Sequence, residues 1–375
     1  MIPFNKPYTT KEEIINIAKA IESGKLAGDG SFTIAVQQLM EKRYGFNKSL
    51  LTTSCTDALE MSALLANIDS NSEVIIPSYT FVSTANAFAL RGAKIVFADS
   101  EKLTPNIDAE KIETLVTKNT KAIVVVHYAG VSCNMDPIVA IAKKYNLLLI
   151  EDAAQAIDAY YKDQPLGSIG TFGTFSFHET KNIVAGEGGL LVINDSDFSN
   201  RAEVIREKGT NRSQFFRGEV DKYGWVEIGS SFLASDITAA FLYAQLTHID
   251  EIQEKRKKIW SRYYNQLEVI QKIKPNFLPH LPTYASNNAH IFYITCLDLS
   301  ERTALIAHLL NNGIKSAFHY LSLHSSPYFQ SKHDGRILTE SDRWSDCLLR
   351  LPMFADLKEA EVDYICEKIC KFYNV

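Results

Sequence analysis

From residue 50 onward, short apolar runs alternate with stretches in which apolar residues recur every three or four positions. These two periods separate buried strands from amphipathic helices. The runs predict strands over 50–52, 74–76, 95–97, 122–126 and 147–150, with helices over 56–67, 81–90, 108–116 and 137–145 between them. Short apolar strands joined by helices form a mostly parallel sheet covered on both faces. Such a sheet binds ligands at the carboxyl ends of its strands. Two more strands, over 172–177 and 190–193, flank a polar, glycine-rich piece that carries Lys181.

Ahead of the sheet, residues 11–23 carry Ile14, Ile15, Ala18 and Ile21 at helical spacing. A loop with Gly24, Gly28 and Gly30 follows, where backbone can approach a ligand closely. A second amphipathic helix covers 33–43. Beyond the sheet come a helix over 198–208, a polar and aromatic loop over 209–218, and helices from 235 to 267. A structureless loop of that size is usually functional or lies at an interface. The pattern then changes to a strand over 289–297, a helix over 302–312, a short strand over 315–318 and a final helix over 358–373. The expected fold is α/β: a large, mostly parallel sheet domain with an N-terminal helical arm over 1–249, and a smaller α+β domain over 250–375.

Composition narrows the partners. The chain has 375 residues, 46% hydrophobic and 22% charged, with a net charge of −5. Charges of both signs are mixed throughout, so there is no basic footprint for nucleic acid. The first seven residues, Met1 to Pro7, hold no apolar stretch of the secretory kind, and no run is long enough to span a membrane. Six cysteines without a CxxC pair point to reduced thiols and a cytoplasmic setting. Cys366 and Cys370 lie four apart without histidines nearby, which fits core thiols and no metal.

Chemistry gathers at the predicted strand ends. Lys181 comes just past an apolar strand, where poor solvation favours the neutral, nucleophilic amine. Such an amine can hold a carbonyl compound as a Schiff base. Glu151 and Asp152 end a fully apolar strand; alternation sends only one of them to the ligand crevice, and there it needs a cationic partner. Residues 53–57 open a helix whose free N–H groups and hydroxyls suit a phosphate, and Ser176 can add a hydroxyl. Residues 77–81 put aromatics where a flat ring could stack. A lysine, an acid, a phosphate cradle and a ring face match the aldehyde, pyridine nitrogen, phosphate and ring of pyridoxal 5′-phosphate.

The runs Ser54-Cys55-Thr56-Asp57-Ala58-Leu59, Pro77 to Thr84, Glu151-Asp152-Ala153-Ala154-Gln155 and Ser176 to Lys181 resemble the sugar aminotransferases of the DegT/DnrJ/EryC1/StrS family. The likeness covers nearly the whole chain and implies the fold-type-I, aspartate aminotransferase-like architecture. The runs 207–218, 318–320 and 323–324 are similar to the branch that makes dTDP-4-amino-4,6-dideoxygalactose for surface glycans of the enterobacterial common antigen kind. The resemblance implies that Lys181 carries the cofactor and moves the proton, and that Asp152 pairs with the pyridine nitrogen. By the same likeness Gln155 bonds the 3-hydroxyl oxygen, Phe81 stacks on the ring, and Cys55, Thr56 and Ser176 hold the phosphate. The family's glycine is Cys55 here, so that contact is expected through backbone N–H. An asparagine that in relatives crosses from the neighbouring subunit is replaced by the shorter Ser231.

The implied reaction transfers the amino group of L-glutamate to C4 of dTDP-4-dehydro-6-deoxy-D-glucose, in a homodimer with active sites between subunits. Lys25, Arg212 and Arg217 are candidates for the nucleotide diphosphate, because guanidinium pairs bidentately with phosphate. His319, Tyr320 and His324 are candidate substrate contacts from the smaller domain. The related sugar dehydratases carry histidine where Lys181 stands. Amination at C3 instead of C4, and a non-catalytic scaffold with the same fold, are the remaining alternatives.

Overall fold

The computed structural model describes residues 1–375. In chain order the first unit contains α1 (Glu12–Glu22), α2 (Ser31–Tyr44), β1 (Lys48–Thr52), α3 (Cys55–Leu65), β2 (Glu73–Pro77), α4 (Val82–Ala89), β3 (Lys94–Ala98), α5 (Ala109–Ile112), β4 (Thr120–Val126), α6 (Met135–Tyr145) and β5 (Leu148–Asp152). A small ribbon, β6 (Tyr160–Tyr161) and β7 (Gln164–Pro165), precedes β8 (Phe172–Ser176) and β9 (Gly189–Ile193). Then come α7 (Ser199–Arg206), α8 (Arg212–Phe216) and α9 (Asp236–Thr247). The long α10 (Ile249–Gln271) leads into β10 (Phe292–Thr295), α11 (Leu299–Asn311), β11 (Ala317–Phe318), α12 (Thr339–Cys347), β12 (Leu348–Leu351) and α13 (Glu359–Tyr373).

The central sheet has seven strands in the order β1-β9-β8-β5-β4-β2-β3. Only β9 runs against its neighbours. Six strands therefore deliver their carboxyl ends to one edge. Side chains alternate between two cores, as the period of a strand requires. Leu51, Ile75, Ile123, Leu149 and Phe175 pack under α2, α6 and α9. Leu50, Val74, Val124, Ile150 and Phe172 pack under α3, α4 and α7. Each such aliphatic or aromatic side chain contributes about 1.5–3 kcal/mol by leaving water.

A three-stranded antiparallel sheet, β10-β12-β11, forms the smaller unit, with Tyr263, Leu267, Phe292, Leu349 and Ile365 in its core. The first residues of the chain run along this unit: Ile2 pairs with Ile314 and donates to the Gly313 carbonyl at 2.7 Å. Between the two units lies an aromatic cluster of Tyr79, Tyr128, Tyr293 and Trp344, with Tyr320 against it. No helix is long and apolar enough to cross a membrane.

Three features depart from the sequence expectation. The loop over 209–218 is not structureless, because Arg212–Phe216 closes a short helix. α12 and β12 lie in a stretch for which the periodicity predicts nothing; α12 buries Ser341, Trp344, Ser345 and Cys347, which is no apolar stripe. In α1 the isoleucines face outward: Ile14, Ile15 and Ile21 are exposed, while Glu13, Asn16 and Ala20 are buried. Glu13 earns its burial by accepting from Gln245 Nε2 at 2.6 Å and from the Thr10 N–H at 2.9 Å.

Candidate active site

The carboxyl ends of β2, β4, β5 and β8, together with the start of α3 after β1, open on one cavity of about 560 Å³. Its walls include Ser54, Thr56, Phe81, Asp152, Lys181 and Tyr320. A larger depression of about 820 Å³ lies along α10, is lined by charged and polar residues, and holds none of these groups.

Strand alternation resolves the acid pair. Glu151 turns away from the cavity and is fully buried. It accepts from His127 Nε2 at 2.9 Å and from the N–H groups of Gly167, Ile169 and Gly170 at 2.8, 2.7 and 2.6 Å. His127 Nδ1 accepts from the Cys133 N–H at 3.2 Å, so the imidazole proton sits on Nε2 and points at Glu151. Asp152 faces the cavity. Thr84 Oγ1 donates to it at 2.7 Å and the Ala154 N–H at 3.1 Å. No side-chain cation pairs with it, and burial raises its pKa. A cation supplied by a ligand would bring that pKa down.

Lys181 follows β8 on a tight turn, with its N–H donating to the His178 carbonyl at 2.9 Å. The next residue pins the turn: Asn182 Nδ2 donates to Gln253 Oε1 at 2.8 Å and to the Asn288 carbonyl at 2.9 Å. Asn182 Oδ1 accepts from His290 Nδ1 at 2.7 Å. The Lys181 amine has no acidic partner, and burial holds its pKa below the ordinary lysine value. Burial also holds His290 and His319 well below the usual histidine value, so both are neutral imidazoles.

At the far end of the cavity, α3 begins. Ser54 caps it, accepting from the Asp57 N–H at 3.0 Å. The N–H groups of Cys55 and Thr56 meet no acceptor in the chain. Thr56 Oγ1 donates to Ser83 Oγ at 2.9 Å, which leaves a ring of hydroxyls from Ser54, Thr56, Ser83 and Ser176 around those donors.

The structure thus brings Cys55, Thr56, Phe81, Asp152, Gln155, Ser176, Lys181, His319 and Tyr320 to one cavity. Gln155 Oε1 accepts from the Ala129 N–H at 2.7 Å, and Nε2 donates to the Tyr320 hydroxyl at 3.0 Å, keeping its second N–H free. His324 does not reach the cavity; its Nδ1 bonds Ser78 Oγ at 2.8 Å. Arg212 pairs with Glu207 at 2.7 Å and Arg217 with Glu203 at 2.8 Å, both outside the cavity of their own chain. Lys25 and Ser231 are exposed and also lie outside it. Sequence reasoning missed Thr84, which orients Asp152, and Arg350 on β12, which lines the cavity. A lone arginine inside Leu348-Leu349-Arg350-Leu351 was the available signal for the latter.

These residues fit pyridoxal 5′-phosphate. An uncompensated buried acid, an amine without a counter-ion and a helix start with free N–H groups answer to its ring nitrogen, aldehyde and phosphate.

Known proteins agree with that fit. The family described as the DegT/DnrJ/EryC1/StrS aminotransferase family matches residues 7–370. The aminotransferase TlmJ of Streptoalloteichus hindustanus superposes with a TM-score of 0.91 at 26% identity, covering 100% of this chain and 99% of that one. A DegT DnrJ EryC1 StrS aminotransferase from Brucella abortus gives 0.87 at 27% identity over 97% and 96%. A putative sugar aminotransferase, Spr1654 of Streptococcus pneumoniae, solved in its PMP form, shares the fold at a TM-score of 0.91 and 24% identity over 100% and 99%.

Proposed function

We propose, for a chain that belongs to the DegT/DnrJ/EryC1/StrS aminotransferase family, a specific reaction within the pyridoxal phosphate-dependent sugar amination that its family performs. The acceptor is dTDP-4-dehydro-6-deoxy-D-glucose and the donor L-glutamate; the products are dTDP-4-amino-4,6-dideoxy-D-galactose and 2-oxoglutarate. The exchange is balanced, since one C–N bond and one C=O bond trade places between donor and acceptor. The product serves surface glycan assembly in the cytoplasm. The likeness of residues 207–218 and 318–324 to the enzymes of that reaction supports this choice of sugar.

The observation that carries the reading is the opposed pair in one cavity, a neutral-prone Lys181 and a buried Asp152 without a cation. When bound, pyridoxal phosphate supplies an electron sink for the carbon losing its proton. Asp152, fixed by Thr84 and Ala154, holds a proton on the ring nitrogen. Lys181 Nζ, whose proton burial makes easier to lose, would take the α-proton of the donor and return it to the carbon across the nitrogen, a 1,3 shift. Cys55 and Thr56 N–H groups and the nearby hydroxyls bind phosphate. Phe81 and Tyr320 close the ring's face from water.

The reading includes a homodimer. Lys25, Arg212, Arg217 and Ser231 are exposed or outside their own cavity, and in a dimer they would serve the neighbouring one. Ser231 would reach the phosphate there and the cations the diphosphate.

Incubation with the 4-keto dTDP-sugar and glutamate, followed by NMR of the product, tests the reaction. Nitrogen on C4 with galacto configuration supports it. Nitrogen on C3 would transfer the reading to the 3-aminotransferases. A protein that stays colourless with added cofactor would be a scaffold.

A further inference from the structure

His290 sits on the segment that leads into β10 and lines the cavity together with Lys181. It is only 4% exposed, so whatever its ring does, it does inside. The backbone aims it. Ala289 is left-handed, with φ 52°, a conformation that side chains disfavour and that surrounding structure must hold. Arg256 on α10 holds it: its buried guanidinium donates to the Ala289 carbonyl at 3.1 Å and to the His290 carbonyl at 2.5 Å. The His290 N–H donates to Asn288 Oδ1 at 3.0 Å.

The tautomer of His290 follows from its partner. The Asn288 carbonyl can only accept, so the amide atom of Asn182 that meets it at 2.9 Å is nitrogen. The other amide atom, Oδ1, therefore faces His290 Nδ1. An amide oxygen only accepts, so Nδ1 carries the proton of the neutral ring and Nε2 carries a lone pair. Burial, then the charges of Lys181, Arg256 and Arg350, keep that ring neutral. Of these charges Lys181 acts on it most strongly. Besides burial, Cys55, Asp152 and Arg350 act on the amine. Nε2 bonds nothing in the chain, and neither does Lys181 Nζ. An acceptor and a donor, both unpartnered, thus share one wall.

We infer that His290 Nε2 receives the Lys181 ammonium while it carries the migrating proton, which makes His290 the positioning residue of the proton shift. This rests on the aminotransferase reading above. Lys181 takes the proton from one carbon and gives it to the other, so its charge lasts for a single step. His290 gains no proton and loses none. A buried ammonium without an acceptor is costly, and a neutral acceptor lowers that cost. A carboxylate in the same place would hold the proton on the amine; an imidazole lone pair lets it go on.

The test compares two variants. His290→Asn can keep the bond to Asn182 and lacks the ring's far nitrogen; His290→Gln can bring an amide oxygen to the Nε2 position. In cofactor-free protein, the pH midpoint for capture of pyridoxal phosphate should fall by about one pH unit in His290→Asn, because the ammonium loses an acceptor. With cofactor bound, two rates should both slow about tenfold or more in that variant: bleaching of the Schiff-base band by saturating glutamate, and its return from the pyridoxamine form with keto sugar. α-Deuterated glutamate should slow bleaching more in His290→Asn than in the wild type, since proton transfer then limits the rate. His290→Gln should recover most of each change. In NMR of wild type with isotope-labelled histidine, the signal that His290→Gln removes should be a neutral ring protonated at Nδ1. Should His290→Asn not fold, that signal still decides. An unmoved midpoint, a loss confined to the sugar half-reaction, or a ring protonated at Nε2 overturns the inference alone. A wild type that never forms the visible band overturns the aminotransferase reading and this inference together.

Discussion

At the scale of single residues, the chemistry reduces to what burial does to one amine. Lys181 is desolvated and unpaired, so its proton leaves more easily than from a free lysine. Capture of the cofactor's aldehyde needs the neutral amine. In stopped-flow mixing of cofactor-free protein with pyridoxal phosphate, the capture rate should therefore rise with pH through a midpoint below 10.5, the ordinary lysine value. A midpoint at or above it would contradict the desolvated site. Stability follows the same sign. Between the lowered folded value and 10.5, the unfolded chain binds the proton that the folded site has released, so stability increases with pH across that window. Lys181→Ala should cut turnover by about 10⁴-fold or more, because both the covalent anchor and the proton carrier go. Retained multiple turnover in that variant would remove Lys181 from its role. Lys181 and the Glu151-Asp152 pair were legible in the sequence because the acids end an apolar strand and the lysine follows another, and strand ends are where this sheet type works; the family resemblance chose Asp152 of the two. Thr84 was not legible as a ligand of Asp152, since helix position and strand end meet only in three dimensions. Arg350 stayed hidden because β12 itself did.

Among elements, the start of α3 is built with little tolerance. α3 starts where β1 ends, and β9 passes directly behind it. A Cβ on Gly189 would overlap the Ser54 carbonyl and the Cys55 nitrogen. Gly189→Ala must therefore push α3's first turn away from β9 and tilt the two free N–H groups off a phosphate. It should cost about 1–3 kcal/mol of stability and weaken cofactor binding about tenfold or more; thermal melts and fluorescence titration of the cofactor measure both. Unchanged affinity would mean the α3 start does not hold the phosphate. The strands and helices around the start of α3 were readable because both sheet faces are buried and the apolar runs are unbroken. The smaller unit was less readable. α12 anchors through Trp344 and two serines, and β12 spans four residues, so neither leaves a periodic trace. α8 closes on an aromatic and arginine sequence that reads as loop, with Arg212 stacked over Phe216 at 5.1 Å.

For the whole molecule, the exposed apolar surface is what a single chain leaves unexplained. The α1 isoleucines point outward because Glu13 and Asn16 are committed to the inside, with Ile14 74% exposed. Leu26 follows on the same arm, and its carbonyl accepts from the Asp236 N–H at 3.0 Å, which sets the arm beside 229–236. Phe216, Trp225, Val226 and Ile228 are exposed as well, Trp225 at 82%. Apolar side chains at this density on neighbouring segments mark an association surface. A second copy is the occupant proposed above, and the same segments carry Lys25, Arg212, Arg217 and Ser231. Oligomeric state and activity should then fall together. Sedimentation of the wild type should give twice 42.1 kDa, and the double variant Ile15→Asp with Trp225→Asp should sediment as one chain while keeping its helical circular dichroism. Its cofactor affinity should drop even though neither residue lines the cavity of its own chain. A wild type that sediments at 42.1 kDa at micromolar concentration and still turns over would show that each chain completes its site alone.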